Sequence, residues 1–258
     1  MNIAGIGCLL LSLTLFAVPV QATNSDVGKE RRWAEQVLDG LLDGDETWLS
    51  DPGGHEFLGV LTEGDTASGR AVLLLHGIGV HPNWPDVIYP LRSGLLEAGV
   101  TTLSIQMPVL PNQAEPSEYL PLFIEVPGRL DAAIDSLEAA GYTDIAVVAH
   151  SLGAAMAVYS LAEASSDRVT SLVIVGMSPG GADQANIRRL QKIRLPVFDL
   201  YGGNDLEAVL ATAQQRAAAG AASSRFWQRR VDGANHFFQG FETELVRQVL
   251  DWLEVQSD

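Results

Sequence analysis

Five apolar runs of strand length, separated by stretches of helical spacing, constrain the fold of this chain more than any other feature. Continuous apolar strands are typical of parallel sheets that helices cover on both faces. The helical stretches lie at about 85–98, 122–140, 152–163, 184–193 and 205–219. The apolar runs between them are Ala71–Leu75, Thr101–Ile105, Ile145–Ala149, Ser171–Val175 and Pro196–Tyr201.

The segments on either side of these runs add further elements to the predicted sheet. Gly28–Leu42 has helical spacing, and Glu46–Ser50 and Glu56–Thr62 form a predicted hairpin around a turn of Asp, Pro and two Gly. A last strand is predicted near Arg225–Val231, before a helix at about 240–255. The pattern therefore predicts an α/β fold with a mixed, mostly parallel sheet of about eight strands.

A serine follows the third apolar run, where the chain changes from strand to helix. The local sequence is Ala149-His150-Ser151-Leu152-Gly153. A serine at such a sharp turn projects its hydroxyl above the sheet, and small neighbours allow the strand and helix backbones to approach closely. The alternative for so short a motif is a serine that caps the helix.

Two other loops after predicted strands carry an acid and a histidine. Asp205 follows the fifth apolar run, and His236 follows the last predicted strand. Asp199 is a competing acid, but it lies within a strand and would be harder to direct at a site. Asp205 has its own alternative as a helix N-cap residue. Ligand sites of such sheets lie at the carboxyl ends of the strands, so these residues are expected to lie near one another.

The loop after the first parallel strand is rich in glycine. Its sequence is Leu75-His76-Gly77-Ile78-Gly79. Glycines on both sides of Ile78 allow the backbone to turn without steric cost. Backbone N–H groups in such a loop can point at an oxygen that becomes negative during a reaction. The alternative is an ordinary glycine turn.

Taken together, these motifs resemble the α/β-hydrolase superfamily of serine hydrolases, from about residue 56 to the C-terminus. Ala149 departs from the family's G-x-S-x-G pattern at its first glycine. More narrowly, the chain resembles a group of exported bacterial α/β-hydrolase-like proteins of unknown function. The motifs that carry this likeness are His76–Gly79, His81–Pro85, Gln106–Pro108 and His150–Gly153.

The resemblance implies an α/β-hydrolase fold and a role for each motif. Only about twenty residues separate Val175 from Pro196, which leaves no room for a large cap domain. The implied catalytic residues are Ser151, Asp205 and His236, in the family's chain order. The N–H groups of Ile78 and Leu152 are the implied oxyanion hole. The implied substrate-binding residues are His76, Gly77, Gly79 and His150.

The implied activity is hydrolysis of a carboxylic ester or related acyl substrate through an acyl-enzyme. The expected partner is a small or lipid-like acyl compound. The same triad would also serve acyl transfer or peptide cleavage, and a non-catalytic cell-envelope binding protein on this fold is a further alternative. The long loop Met107–Pro127 is either a pocket wall or a solvated surface loop. The side chains considered for that wall are Glu115, Glu118, Tyr119, Leu120 and Phe123.

Charge and composition bear on other functions. The net charge is −16, with only two lysines, so nucleic-acid binding is not expected. No metal or other cofactor is expected. His76, His81 and Asp86 lie close in sequence, but a place in the oxyanion loop explains His76 better than zinc ligation does. The two glycines of that loop do not complete a dinucleotide-binding fingerprint.

The N-terminus resembles a secretory signal peptide. Residues 3–20 are almost wholly apolar, and Val20-Gln21-Ala22 resembles a signal-peptidase site. We therefore expect a signal peptide over residues 1–22, a single domain over 23–258 and export to the bacterial periplasm or the medium. The alternative is an uncleaved anchor, which would be the only membrane contact. Cys8 is the only cysteine, so the mature chain would have none.

Overall fold

The computed structural model describes residues 24–65, 69–163, 167–179, 184–221 and 223–256. The predicted signal peptide, residues 1–22, lies outside the described residues. No helix in the described part of the chain has the length and hydropathy needed to cross a membrane.

The chain forms the predicted mixed sheet of eight strands, in the order β1-β2-β4-β3-β5-β6-β7-β8. Strands β1, β2 and β4 pair antiparallel, and all other neighbours are parallel. The antiparallel hairpin therefore adds two strands to one edge of a parallel sheet, as the sequence predicts. The strands are β1 Asp45–Ser50, β2 Glu56–Thr62, β3 Arg70–Leu75, β4 Thr101–Ile105, β5 Asp144–His150, β6 Ser171–Val175, β7 Val197–Asn204 and β8 Phe226–Asn235.

Helices pack on both faces of the sheet because successive residues of the central strands point in opposite directions. Leu73 and Leu75 of β3 enter one apolar core, and Val72 and Leu74 enter the other. The first core also receives α3, α4 and α5, while the second receives α2 and α7. The helices are α1 Val27–Asp39, α2 Ile88–Glu97, α3 Val126–Ala139, α4 Leu152–Glu163, α5 Ala185–Arg189, α6 Glu207–Gly220 and α7 Glu242–Val255.

The segment predicted as a long loop is partly helical. A 3-10 helix occupies Pro116–Glu125 and leads directly into α3. Tyr119 and Phe123 are buried in the first apolar core, and the Tyr119 hydroxyl would lie 3.7 Å from a Cβ on Gly79. Glu115 and Glu118 are exposed and cap the helix by bonding to each other's backbone N–H groups. The alternative of a solvated surface therefore fits Glu115, Glu118 and Leu120, which are exposed, while Tyr119 and Phe123 are core residues.

Candidate active site

The turn between β5 and α4 holds Ser151 in an unusual backbone conformation. Its φ is +56°, in the left-handed region that few non-glycine residues adopt. The turn is tight enough that a Cβ on Gly153 would lie 2.2 Å from the main-chain oxygen of His76. Ala149, the departure from the family pattern, is fully buried in β5. The small residues therefore let α4 start directly beneath the glycine-rich loop, with the serine between them.

The loop after β8 brings His236 to this serine. Nε2 of His236 lies 2.9 Å from Oγ of Ser151, and its Nδ1 lies 2.6 Å from Oδ1 of Asp205. Since a carboxylate only accepts, Nδ1 carries the proton and Nε2 is free to accept the serine hydroxyl proton. The structure thus joins the three predicted catalytic residues in one row of hydrogen bonds.

The loop after β7 presents Asp205 to the histidine as an ionised carboxylate. Burial alone would raise its pKa, but hydrogen bonds from His236 and from the N–H groups of Gly202 and Leu206 outweigh that effect. The pKa of Asp205 therefore lies below its ordinary value. Asp199, the competing acid, is fully buried and binds Arg216 at 2.8 Å.

Gly176, at the end of β6, makes room for the acid and the base. A Cβ on this residue would lie 3.1 Å from Nδ1 of His236 and 3.2 Å from Oδ2 of Asp205. Its φ of +54° also suits glycine. Gly176 was not among the predicted site residues, although a glycine directly after a predicted strand is a signal that could have indicated it.

The glycine-rich loop after β3 lies beside the serine. A Cβ on Gly77 would come within 3.2 Å of Cβ of Ser151. Ile78 is half-buried, and Leu152 is the first residue of α4. Gly79 has a φ of +68°. The two segments predicted to supply oxyanion N–H groups therefore meet at Ser151.

His76 is not free to bind a substrate. It is fully buried, its Nδ1 lies 2.8 Å from the oxygen of Gly77, and its Nε2 accepts the N–H of Met107 at 2.9 Å. Burial lowers the pKa of His76 to about 3, so the ring is neutral. The predicted substrate-binding role is therefore wrong for His76, because both ring nitrogens are used to hold the loop.

His150 is also occupied within the protein. Its Nε2 donates to the main-chain oxygen of His236 at 3.0 Å, and the two rings are 4.8 Å apart. Burial lowers the pKa of His150 to about 3. Its side chain therefore bonds to the main chain of His236, a contact that no sequence pattern indicated.

The residues that the structure describes include no candidate metal site. No group of three or more His, Cys, Asp or Glu side chains there is arranged to hold a metal ion. His81 accepts the N–H of Asn83 at Nδ1, and its ring packs between Trp33 and Trp84. Its surroundings are thus those of a packed aromatic cluster.

Solved structures with the same fold include several esterases. Est1E from Butyrivibrio proteoclasticus is 15% identical, with a TM-score of 0.60, over 83% of this chain and 99% of that one. The Pyrococcus furiosus esterase Pf2001 is 16% identical, with a TM-score of 0.64, over 84% and 94%. An α/β serine hydrolase homologue from Coxiella burnetii is 19% identical, with a TM-score of 0.60, over 81% and 98%.

These likenesses confirm the predicted α/β-hydrolase fold. No curated protein sequence matches the chain. A family model described as "Protein of unknown function (DUF3530)" matches residues 17–123 and 120–255. Since the two matches together extend over most of the sequence, the chain belongs to the DUF3530 family.

Proposed function

We propose that this chain is a serine hydrolase that cleaves carboxylic esters or related acyl substrates. The observation that carries the proposal is the row of hydrogen bonds from Ser151 through His236 to Asp205, at 2.9 and 2.6 Å. A serine hydroxyl is a weak nucleophile at neutral pH and needs an adjacent base, which this row supplies. The esterases among the structural neighbours support the same reaction class.

The first half of the reaction forms an acyl-enzyme. Oγ of Ser151 attacks the acyl carbonyl carbon while its proton moves to Nε2 of His236. Asp205 holds the other ring nitrogen and stabilises the imidazolium that results. The N–H groups of Ile78 and Leu152 are the proposed donors to the negative oxygen of the tetrahedral intermediate. Its collapse expels the alcohol, which takes the proton from His236.

The second half releases the acyl group. Water gives a proton to His236 and attacks the ester carbonyl of the acyl-enzyme. Collapse of the second tetrahedral intermediate breaks the bond between the acyl carbon and Oγ of Ser151, Oγ takes that proton back from His236, and a carboxylic acid is released. Ser151 and His236 are each only 5% exposed. We therefore propose that a slender acyl group, rather than a bulky one, reaches the hydroxyl.

A serine-directed test separates this proposal from a non-catalytic role. We expect a fluorophosphonate probe to label the wild-type protein, and we expect this labelling to be lost in Ser151→Ala. We expect Ser151→Ala to lower turnover of p-nitrophenyl esters by about 10⁴-fold or more. Ser160→Ala removes another buried serine of α4 and should keep both properties. Undiminished turnover in Ser151→Ala would remove this mechanism, and absence of labelling would favour a binding protein.

A panel of ester, thioester and amide substrates then sorts the remaining alternatives. Hydrolysis limited to esters and thioesters supports the proposal. Cleavage of amides would indicate a peptidase, and product formation that depends on an added alcohol would indicate acyl transfer.

The proposed location of this activity is the periplasm or the outside of a bacterial cell. It rests on the apolar residues 3–20 and the processing motif that follows them. N-terminal sequencing of the protein from cell fractions tests it, with a mature start at Thr23 in the periplasm expected. Full-length protein in the cytosol would contradict it.

A further inference from the structure

The position of the glycine-rich loop depends on the segment that follows β4. Nε2 of His76 receives two donors from that segment, the N–H of Met107 and the side-chain amide of Gln106, each at 2.9 Å. The amide of Gln106 also donates to the main-chain oxygen of Met107 at 2.8 Å. Any shift of Gln106 would therefore be passed to His76 and, through its bond to Gly77, to the loop beside Ser151.

A buried arginine fixes the backbone of Gln106. Nη1 of Arg129, on α3, donates to the main-chain oxygen of Gln106 at 2.9 Å and to Oε2 of Glu30 at 3.1 Å. Its Nη2 donates to Oε1 of Glu30 at 3.0 Å and to Oγ of Ser25 at 3.2 Å. Arg129 is fully buried and Glu30, on α1, is 4% exposed. His55 adds a further contact to Glu30 at 2.9 Å.

Stability alone is a weak explanation for such a pair. Removing two charges from water is costly, and well-packed apolar side chains of similar volume often stabilise a protein as well or better. What the bidentate pair supplies is a fixed geometry, because the guanidinium and the carboxylate match in only a narrow range of positions. Here that geometry links α1 and α3 to the strand end that holds the loop.

We propose that Arg129 and Glu30 are positioning residues for the oxyanion loop. They act through Gln106 and His76 and touch no reacting atom. This inference rests on the proposed function, since the loop acts as an oxyanion hole only if Ser151 is the nucleophile.

The expected effect falls on kcat. A displacement of about 1 Å in a catalytic group can lower a rate by about 10²-fold. The contact between loop and oxyanion strengthens in the transition state, so its weakening lowers kcat and leaves KM nearly unchanged. A general loss of stability would not lower kcat selectively while leaving KM nearly unchanged.

The test compares Arg129→Met with Arg216→Met. Arg216 is also fully buried and pairs with a buried carboxylate, but its hydrogen bonds go to Asp199, Thr212 and Val209. The measurements are kcat and KM for p-nitrophenyl esters, the inhibition constant of a trifluoromethyl ketone, and amide hydrogen exchange in residues 76–80. A trifluoromethyl ketone forms a tetrahedral adduct with the serine, so its affinity reports on the oxyanion hole.

In Arg129→Met we expect kcat to fall about 10- to 100-fold, the ketone to bind more weakly by a similar factor and loop exchange to accelerate. Arg216→Met should lower the thermal midpoint without these three changes. Should Arg129→Met fail to fold, Glu30→Gln carries the same test, because it keeps the side-chain shape and removes the charge.

Two results would overturn the inference. One is unchanged loop exchange and kcat in Arg129→Met or, where that variant does not fold, in Glu30→Gln. The other is an equal change in Arg216→Met. If the wild-type protein shows no serine-dependent turnover, the proposed function fails, and loop exchange still decides whether Arg129 positions the loop.

Discussion

Two buried aspartates near the end of β7 have different partners: Asp199 pairs with Arg216, and Asp205 pairs with His236. Asp199 lies inside β7, where burial raises its pKa and its Oδ2 binds Arg216 at 2.8 Å and Gln228 at 2.7 Å. Asp205 lies beyond the strand, where the chain is free to turn its carboxylate toward His236. The same residue type thus pairs with a buried arginine at one position and with a histidine at the other.

Asp205→Asn and Asp199→Asn should therefore give different losses. We expect Asp205→Asn to keep the fold and lower kcat by about 10⁴-fold, because an amide cannot hold the required histidine tautomer. We expect Asp199→Asn to lower the free energy of unfolding by about 3–5 kcal/mol, since Arg216 loses its charged partner, with kcat nearly unchanged. Steady-state kinetics and urea unfolding of both variants check this, and a large kcat loss in Asp199→Asn would reverse the assignment.

At the residue scale, the sequence indicates which residues come together at the site better than it indicates the hydrogen-bond partners of buried side chains. The meeting of Ser151, Asp205 and His236 was predictable because each directly follows a strand in a recognisable short motif. The buried states of His76 and His150 were not, because their partners, Met107 and the main chain of His236, come from distant segments. Which polar groups satisfy a buried ring is decided by tertiary packing alone.

The elements meet at the site by close backbone approach. The start of α4 passes beneath the glycine-rich loop, where the main-chain oxygen of His76 would be 2.2 Å from a Cβ on Gly153. A carbonyl of the main chain cannot turn aside as the end of a flexible side chain can. The absence of a side chain on Gly153 thus allows two elements to touch. One is the helix that carries the Leu152 N–H, and the other is the loop that carries the Ile78 N–H.

Gly153→Ala should separate these two elements. We expect the free energy of unfolding to fall by about 1–3 kcal/mol because of overpacking, and kcat to fall as well because the two N–H groups move apart. Gly40→Ala is the matched control, since its Cβ would find only an ordinary contact at 3.7 Å and its φ is −108°. That control should change stability by no more than about 0.5 kcal/mol. Equal stability and activity in the two variants would contradict this account.

Element types were predictable from the chain, and element ends were less so. The central strands β3, β5 and β6 are mostly apolar, and β2, β4 and β6 match their predicted bounds. Strands β7 and β8 extend beyond prediction to Asn204 and Asn235, because a register irregularity near Gly202 lets the pairing continue. The 3-10 helix 116–125 was missed because its three turns contain two prolines and no regular helical period.

At the scale of the whole molecule, the sheet brings the site together from distant parts of the sequence. Strands β3, β5, β7 and β8 are parallel in the sheet. The loops at their carboxyl ends therefore all lie on the same side of the sheet, above the ends of the strands. These four loops carry the glycine-rich segment, Ser151, Asp205 and His236, one in each loop. The order of the strands alone therefore predicts where these residues meet, because ligand sites of parallel sheets lie at the carboxyl ends of the strands.

The same packing leaves three histidines that resist protonation, of which His76 and His150 are buried and His81 is half-buried between two tryptophans. Burial lowers the pKa of His76 and His150 to about 3 and that of His81 to about 4, from an ordinary value of 6.5. In the unfolded chain each would take up a proton as the pH falls through 6.5, while in the folded chain each stays neutral. Between these pKa values the unfolded state binds more protons than the folded state. The contribution of the three histidines to the free energy of unfolding is therefore fully present above pH 6.5 and declines as the pH falls toward 4.

His81→Gln isolates one of these contributions without altering the triad. Each such histidine lowers the free energy of unfolding by up to about 1.4 kcal/mol per pH unit in this window. Urea unfolding between pH 7 and pH 4.5 should therefore give a shallower decline for His81→Gln than for the wild-type chain, by up to that slope. Parallel curves for the two proteins would mean that His81 is protonated in the folded state, and that its place between Trp33 and Trp84 does not exclude the charge.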